Sequence, residues 1–112
     1  MNAAADTDLA TCFAALGDPT RFAIVTRLMT EGPQSAGALL DVADISAPAV
    51  SRHLKVLRQA GVVHQQVDAQ RRIYSVAPEA VQAIGRWSMT KREFWEGSLD
   101  RLATVLDDLQ AE

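Results

Sequence analysis

The most informative segment of this chain is SAPAVSRHLKVLRQAGVV, residues 46–63. Ser46 is a favoured N-cap residue, and Pro48 falls in the first helical turn, where a missing backbone donor costs little. Gly61 is a typical residue at the end of a helix. The apolar residues between them recur at helical spacing and predict one buried stripe, formed by Val50, Leu54 and Leu57. We therefore expect a helix over Ser46–Gln59, roughly 21 Å long at about 1.5 Å per residue.

A shorter helix is predicted directly before this one. Ser35 can cap it, and its apolar face would come from Leu39, Leu40 and Val42. Residues 43–45 then form a tight turn into the longer helix. Two helices joined in this way predict a helix-turn-helix over residues 35–59. Upstream, Asp18-Pro19 opens another helix that ends at Gly32.

A change of period follows Gly61. β-Branched and aromatic residues flank the polar stretch 68–71 and predict a β-hairpin over residues 62–77. The stretch contains neither Asn-Gly nor Asp-Gly, so we expect a loop of more than two residues. A helix-turn-helix followed by a hairpin is the winged helix-turn-helix order. The predicted fold is mainly α with a small β-hairpin wing.

Two terminal helices complete the prediction, over residues 8–16 and 79–109, with a possible kink near Gly85. The last helix carries a narrow apolar seam at heptad spacing. In so small a protein, little core is left for this seam to pack against, so the seam predicts a homodimer. The alternative is that the seam packs on its own domain. The predicted dimer interface consists of Leu9, Phe13, Leu16, Trp95, Leu99, Leu102 and Leu106.

Length and composition fit one globular domain over residues 1–112, with 48% hydrophobic residues. No apolar run approaches the ~20 residues that span a bilayer, and the N-terminus has no apolar signal core. We therefore expect no membrane association and a cytoplasmic location. The lone Cys12 cannot form an internal disulfide; a buried thiol is favoured, and a Cys12–Cys12 bridge between subunits stays open.

The charge distribution indicates a polyanionic partner. The net charge is -3, yet residues 45–77 contain five basic residues against one acid, Asp68. The outward face of the long helix and the hairpin tip supply the predicted contacts to double-stranded DNA. These are Ser46, Pro48, Ala49, Ser51, Arg52, His53 and Lys55 on the helix, and Arg71 and Arg72 on the wing.

The basic side chains in this set suit different kinds of contact with DNA. Arg52 can fork to a guanine edge or hold a phosphate, whereas Lys55 suits phosphate. Arg71 and Arg72 can reach a minor groove or the flanking phosphates. The alternatives are a solvated helix face and charge that protects an edge strand. Tyr74 is expected to pack within its strand.

Three segments, ALGDPTRFAIV, SAPAVSRHLKVLRQAGVV and RRIYSV, resemble the ArsR family of bacterial regulators. The resemblance implies a homodimer whose first and last helices form the interface. It also implies binding to a pseudo-palindromic operator, usually repression, and release of DNA by an inducer. By the same resemblance, Arg71 and Arg72 match the family's wing, and the residues that match its DNA-reading segment are Ser46, Pro48, Ala49, Ser51, Arg52 and His53.

The chain departs from the family pattern at three places. Ala47 stands where many relatives have Gln, and the wing lacks the usual glycine. The metal-sensing motifs are missing, and Cys12, His53 and His64 form no compact spacing, so we expect no metal site and no cofactor. An unknown small-molecule inducer could bind in an aromatic pocket lined by Trp87 and Trp95, although packing in the dimer core is the favoured role of these two residues. Regulation by a protein partner, or by none, stays open.

No catalytic constellation or phosphate-cradling loop is visible, so the chain is not expected to be an enzyme. The sequence predicts a DNA-binding transcriptional regulator. The alternative is a winged-helix module that contacts other proteins without binding DNA. The acid-free stretch 46–67 favours the first interpretation.

Overall fold

A computed structural model describes residues 8–111, apart from the side chain of Glu93. Within these residues the fold is mainly helical with a small antiparallel sheet, as predicted. The predicted domain bounds of 1 and 112 lie outside the described residues. The elements, in chain order, are α1 (Leu9–Leu16), α2 (Pro19–Glu31), β1 (Gln34–Ser35), a 3₁₀ turn (Gly37–Leu39), α3 (Ala47–Gln59), β2 (Val63–Asp68), β3 (Arg71–Val76), α4 (Pro78–Thr90) and α5 (Arg92–Ala111).

The predicted signals at both ends of α3 are confirmed. The Ser46 side chain caps the helix by accepting from the Ala49 amide at 3.3 Å. Gly61 has a positive φ of 80°, and the Val62 amide donates to the Leu57 carbonyl at 2.9 Å. This bonding pattern satisfies the last carbonyls of the helix and directs the chain into the sheet.

The core is formed where the inner face of α3 packs against α2 and the sheet. Val50, Leu54 and Leu57 are at most 2% exposed, as the sequence predicts. Ile24 and Leu39 are completely buried in the same cluster. The packing fixes the orientation of α3 and turns its polar face outward.

The prediction of a helix from Ser35 to Val42 is wrong. The Ser35 hydroxyl does accept from the Ala38 amide at 3.2 Å, but only a 3₁₀ turn follows. Its bonds join residues three apart, as between the Val42 amide and the Leu39 carbonyl at 3.1 Å. Ser35 also belongs to β1, which pairs with β3. A short segment that is anchored in a sheet cannot meet the cost of nucleating an α-helix.

The hairpin loop is shorter than predicted. Asp68 pairs with Arg71, which leaves only Ala69 and Gln70 in the turn. Ala69 adopts a φ of 58°, so an alanine takes the left-handed conformation that such a tight turn requires. The third strand β1 lies beside β3, and the order in the sheet is β1-β3-β2.

The last helix is interrupted at Lys91, so the single helix predicted over 79–109 is wrong. The Lys91 amide closes α4 by donating to the Trp87 carbonyl at 3.2 Å, and the Lys91 carbonyl accepts from the Trp95 amide at 3.1 Å. Gly85 lies inside α4 without breaking it. A single glycine in a helix costs only about 1 kcal/mol, which the surrounding helix can absorb.

The helix α5 extends away from the rest of the molecule. None of its described side chains is buried. The Cα radius of gyration is 18.8 Å, whereas a compact domain of this length would have about 13 Å. Among residues 8–111, no helix combines the length and apolar character that a membrane crossing requires.

Candidate nucleic-acid interface

A cationic cleft lies between α3 and the β2–β3 wing. Its volume is about 590 Å³, and it has two cations on each side: Lys55 and Arg58 from α3, and Arg71 and Arg72 from the wing. Uncharged residues complete its lining, namely Ser35, Ala36, Gly37, Ser51, Gln65, Gln70 and Tyr74. Among the described side chains, no carboxylate lines the cleft. Four like charges around one concave surface produce a positive potential that attracts a polyanion.

The outward face of α3 carries most of the predicted contact residues. Ser46, Pro48, Ser51, Arg52 and Lys55 are exposed. Ser51 and Lys55 also line the cleft, whereas Arg52 is an exposed residue of α3 outside that lining. Ala49 is half-buried, which leaves only part of its surface for a ligand.

His53 is placed differently from the other predicted contacts. Its Nδ1 lies 3.4 Å from the Arg21 guanidinium and 3.8 Å from the Asp18 carboxylate. Arg21 in turn donates from Nε to the Ala15 carbonyl at 2.7 Å. This edge of the imidazole therefore faces the start of α2 and joins α3 to it. Asp18 caps α2, and the Arg21 amide that donates to its carboxylate lowers the pKa of Asp18.

A chain of hydrogen bonds crosses the cleft from α3 to the wing. Arg58 Nη1 donates to Gln65 Oε1 at 2.6 Å, and Gln65 Nε2 donates to the Tyr74 hydroxyl at 2.8 Å. Tyr74 is buried, as its predicted packing role requires. Sequence reasoning missed Gln65 and left Arg58 out of the contact set. The register of a two-residue turn would have placed Gln65 opposite Tyr74 and pointed to both.

Both wing arginines are exposed at the hairpin tip, as predicted. Arg71 pairs in register with Asp68, and Arg72 pairs with Val67. The buried sheet root and the exposed tip differ sharply, since Val63 is 1% exposed and Val67 is 66% exposed. The tip is therefore free to approach a ligand while the root belongs to the core.

The three soft potential metal ligands lie in separate environments. Cys12 is buried and donates from Sγ to the Ala60 carbonyl at 3.5 Å, and its burial raises the pKa of the thiol. His64 Nε2 pairs with Glu79 at 2.5 Å, and His53 lies against Asp18. Within the described part of the chain, no three His, Cys, Asp or Glu residues form a group that could hold a metal ion.

The predicted interface residues fall into two groups. On α1, Leu9 and Leu16 are half-buried, and the ring of Phe13 packs edge-on against Trp87 with 5.6 Å between centroids. On α5, Trp95, Leu99, Leu102 and Leu106 are between 50% and 65% exposed. A cavity of about 290 Å³ lies beside Trp87, Lys91, Phe94 and Trp95, at the junction of α4 and α5. The apolar seam is therefore open in the single chain.

Known proteins resemble this chain in both sequence and structure. Residues 16–66 match a family model described as a helix-turn-helix domain. The chain is 40% identical over 93 residues to the HTH-type transcriptional regulator Rv2034 of Mycobacterium tuberculosis, a match that covers 83% of each chain. It is 34% identical over 77 residues to the transcriptional repressor SdpR of Bacillus subtilis, covering 69% of this chain and 84% of that one.

Solved structures agree with these sequence matches. An ArsR family transcriptional regulator, RHA00566, has a TM-score of 0.69 and 30% identity, covering 79% of this chain and 96% of that chain. An ArsR-like transcriptional regulator from Rhodococcus sp. RHA1 has a TM-score of 0.68 and 28% identity, covering 87% of this chain and 91% of that chain. The chain belongs to the ArsR family of winged helix-turn-helix proteins, and it is a DNA-binding transcriptional regulator rather than an enzyme.

Proposed function

We propose that the protein is a homodimeric repressor that binds a pseudo-palindromic operator through α3 and the wing. The observation that carries the proposal is the cleft of about 590 Å³, whose lining, within residues 8–111, includes four cations and no carboxylate. A helix of 13 residues spans about 20 Å, which is long enough to cross a major groove about 12 Å wide. The cleft beside it would then receive one phosphate backbone.

The side chains divide into base-reading and phosphate-binding roles. Arg52 is exposed on α3 outside the cleft, so it is the residue proposed to read a guanine edge, with Ser51 beside it. Lys55 in the cleft would hold a phosphate, and Arg71 and Arg72 would reach the flanking minor groove or its phosphates. His53 is proposed to brace α3 rather than to read bases, because its Nδ1 faces Asp18 and Arg21.

The seam of α5 supports the homodimer. Its apolar side chains are at least half exposed in the single chain. Full burial of a fully exposed leucine side chain stabilises by about 1.5–3 kcal/mol, so covering several half-exposed residues favours a partner with a matching face. A second copy supplies that face by symmetry. In such a dimer the two copies of α3 would enter successive major grooves about 34 Å apart.

Repression is supported by the similarity to SdpR, which is named a transcriptional repressor. We propose that the protein does not sense a metal ion. Cys12, His53 and His64 are engaged separately, by a carbonyl and two carboxylates, and do not converge on one point. A shared site would therefore require all three to leave their present partners.

A salt titration tests the proposed DNA complex. Genome-wide mapping of bound sites provides the operator duplex, and fluorescence anisotropy measures its affinity for the full-length protein. If about 6–10 phosphates are contacted, the affinity should fall by about 10³–10⁵ between about 50 and 200 mM salt. An affinity that does not respond to salt, or no affinity for any duplex, would contradict the proposal and favour a module that contacts proteins.

A further inference from the structure

We infer that Arg58, Gln65 and Tyr74 form a positioning relay that fixes the wing relative to α3, so that Arg58 contributes to DNA affinity mainly through the wing. The inference rests on the proposed role of the wing in DNA binding. It adds a function for two residues, Gln65 and Tyr74, that need not touch DNA themselves.

The geometry of the relay is continuous from the core to α3. Tyr74 is only 8% exposed, and its hydroxyl accepts from Gln65 Nε2 at 2.8 Å. Gln65 Oε1 accepts from Arg58 Nη1 at 2.6 Å. A guanidinium has only donors, so the amide oxygen of Gln65 must face Arg58 and its nitrogen must face Tyr74. Both ends of the amide are therefore engaged, and its orientation is fixed.

The wing needs such a link because its tip has little packing of its own. The root is held by Val63 at 1% exposure and by Tyr74, whereas Val67 near the tip is 66% exposed. The third strand, β1, has only two residues and pairs with Ile73 and Tyr74, which leaves Arg71 and Arg72 beyond its reach. An antiparallel pair with so little support is marginal in water.

The relay connects the strand that leads to the wing tip with the last turn of α3. Gln65 and Tyr74 are register partners in β2 and β3, so the Gln65 amide is tied to both strands. Arg58 lies in the final turn of α3, one residue from its end. The bond from Arg58 to Gln65 has a charged donor, and such bonds are stronger than bonds between neutral groups. It therefore favours one angle between α3 and the wing. That angle sets where Arg71 and Arg72 meet the duplex.

A double-mutant cycle tests the inference with the full-length protein and the mapped operator duplex. Gln65→Ala breaks both bonds of the relay without changing the charge. It should weaken binding about five-fold, the ratio that corresponds to one typical hydrogen bond. In an Arg71→Ala/Arg72→Ala background the same change should cost less than about two-fold, because the wing has nothing left to position.

Two further variants separate the relay from general effects. Tyr74→Phe keeps the ring in the core and removes only the hydroxyl, so it should weaken binding in the same direction as Gln65→Ala. Gln66→Ala is the matched control, since Gln66 is the exposed neighbour on the same strand and should leave affinity unchanged. Thermal unfolding of each variant shows whether the fold is retained.

The outcomes are distinguishable. An equal loss from Gln65→Ala in both backgrounds would overturn the relay and make Gln65 an independent contact, while the role of the wing would stand. No loss from Gln65→Ala on the intact wing would also overturn the relay. If Arg71→Ala/Arg72→Ala binds as tightly as the parent, the proposed role of the wing fails first, and the relay fails with it.

Discussion

The part of the molecule from α1 to α4, called the body below, and helix α5 carry the same kind of apolar sequence pattern, but the pattern is buried in the first and exposed in the second. In the body, the stripe of α3 is buried, with Leu54 and Leu57 at 1% and 0% exposure. On α5, a stripe of similar spacing leaves Leu99 and Leu102 at 65% and 55% exposure. All described buried side chains lie between Cys12 and Ala83, before α5 begins.

An apolar face at helical spacing predicts that the face will be covered, but it does not say whether the cover comes from the same chain. For α3 the cover is α2 and the sheet root. For α5 the described chain provides almost no cover, and the cover that we propose is a second copy of the chain.

The largest effect is expected from charges placed in the seam. Leu99→Asp/Leu102→Asp should give a monomer, because burying two carboxylates at a symmetric interface is unfavourable. Loss of the second α3 should lower operator affinity by about 10²–10⁴-fold, since the two half-sites no longer act together. Sedimentation equilibrium measures the oligomeric state, and anisotropy measures the affinity.

Arg101→Asp/Thr104→Asp is the matched control on the other side of the same helix. It has the same spacing of three residues and also adds carboxylates, but it leaves the seam intact. This control should stay dimeric and retain operator binding. A dimer formed by Leu99→Asp/Leu102→Asp would place the interface elsewhere and remove the contrast between α5 and the body.

The second prediction compares one leucine from each region. Leu54→Ala should lower the free energy of unfolding by about 2–5 kcal/mol at any protein concentration, because it leaves a cavity inside one chain. Leu106→Ala should have little effect in dilute protein and a larger one at high concentration, where the dimer is populated. Thermal unfolding over a series of protein concentrations measures both. The same concentration dependence for both variants would contradict the distinction.

The third prediction concerns the outer face of α3, which the buried stripe holds in place. Arg52→Ala should cost about 1–3 kcal/mol on the operator and much less on unrelated duplexes, if Arg52 reads a guanine. Lys55→Ala should weaken binding to every duplex alike and reduce the salt slope by about one, as expected for a phosphate contact. Competition titrations against operator and random DNA provide the comparison. An equal loss from Arg52→Ala on both would make Arg52 a phosphate contact.

The sequence predicted those parts of the fold and site whose causes are local. The cap at Ser46, the stop at Gly61 and the stripe of α3 follow from residues within one turn of each other. The strand Gln34–Ser35 was not predictable in this way, because its pairing partner β3 lies nearly 40 residues further along. The partners of His53 are also distant in sequence. Its position beside the buried stripe was visible, but the Asp18 and Arg21 groups that face it come from α2.

The smallest effect is expected at the hairpin turn, where the usual residue preferences of tight turns predicted a longer loop than the structure has. Two-residue turns favour glycine, asparagine or aspartate because their residues need positive φ, and the absence of Asn-Gly and Asp-Gly therefore predicted a longer loop. Ala69 instead adopts a φ of 58°, a conformation in which its Cβ is crowded.

Ala69→Gly removes that crowding but increases the freedom of the unfolded chain, so the net gain in the free energy of unfolding should be only about 0.5–1 kcal/mol. Urea denaturation measures it, with Ala38→Gly as the control at a position without positive φ, where no gain is expected. Equal effects of the two substitutions would show that the turn is not strained at Ala69, and the short wing would then owe its register to the pairing of β2 with β3 alone.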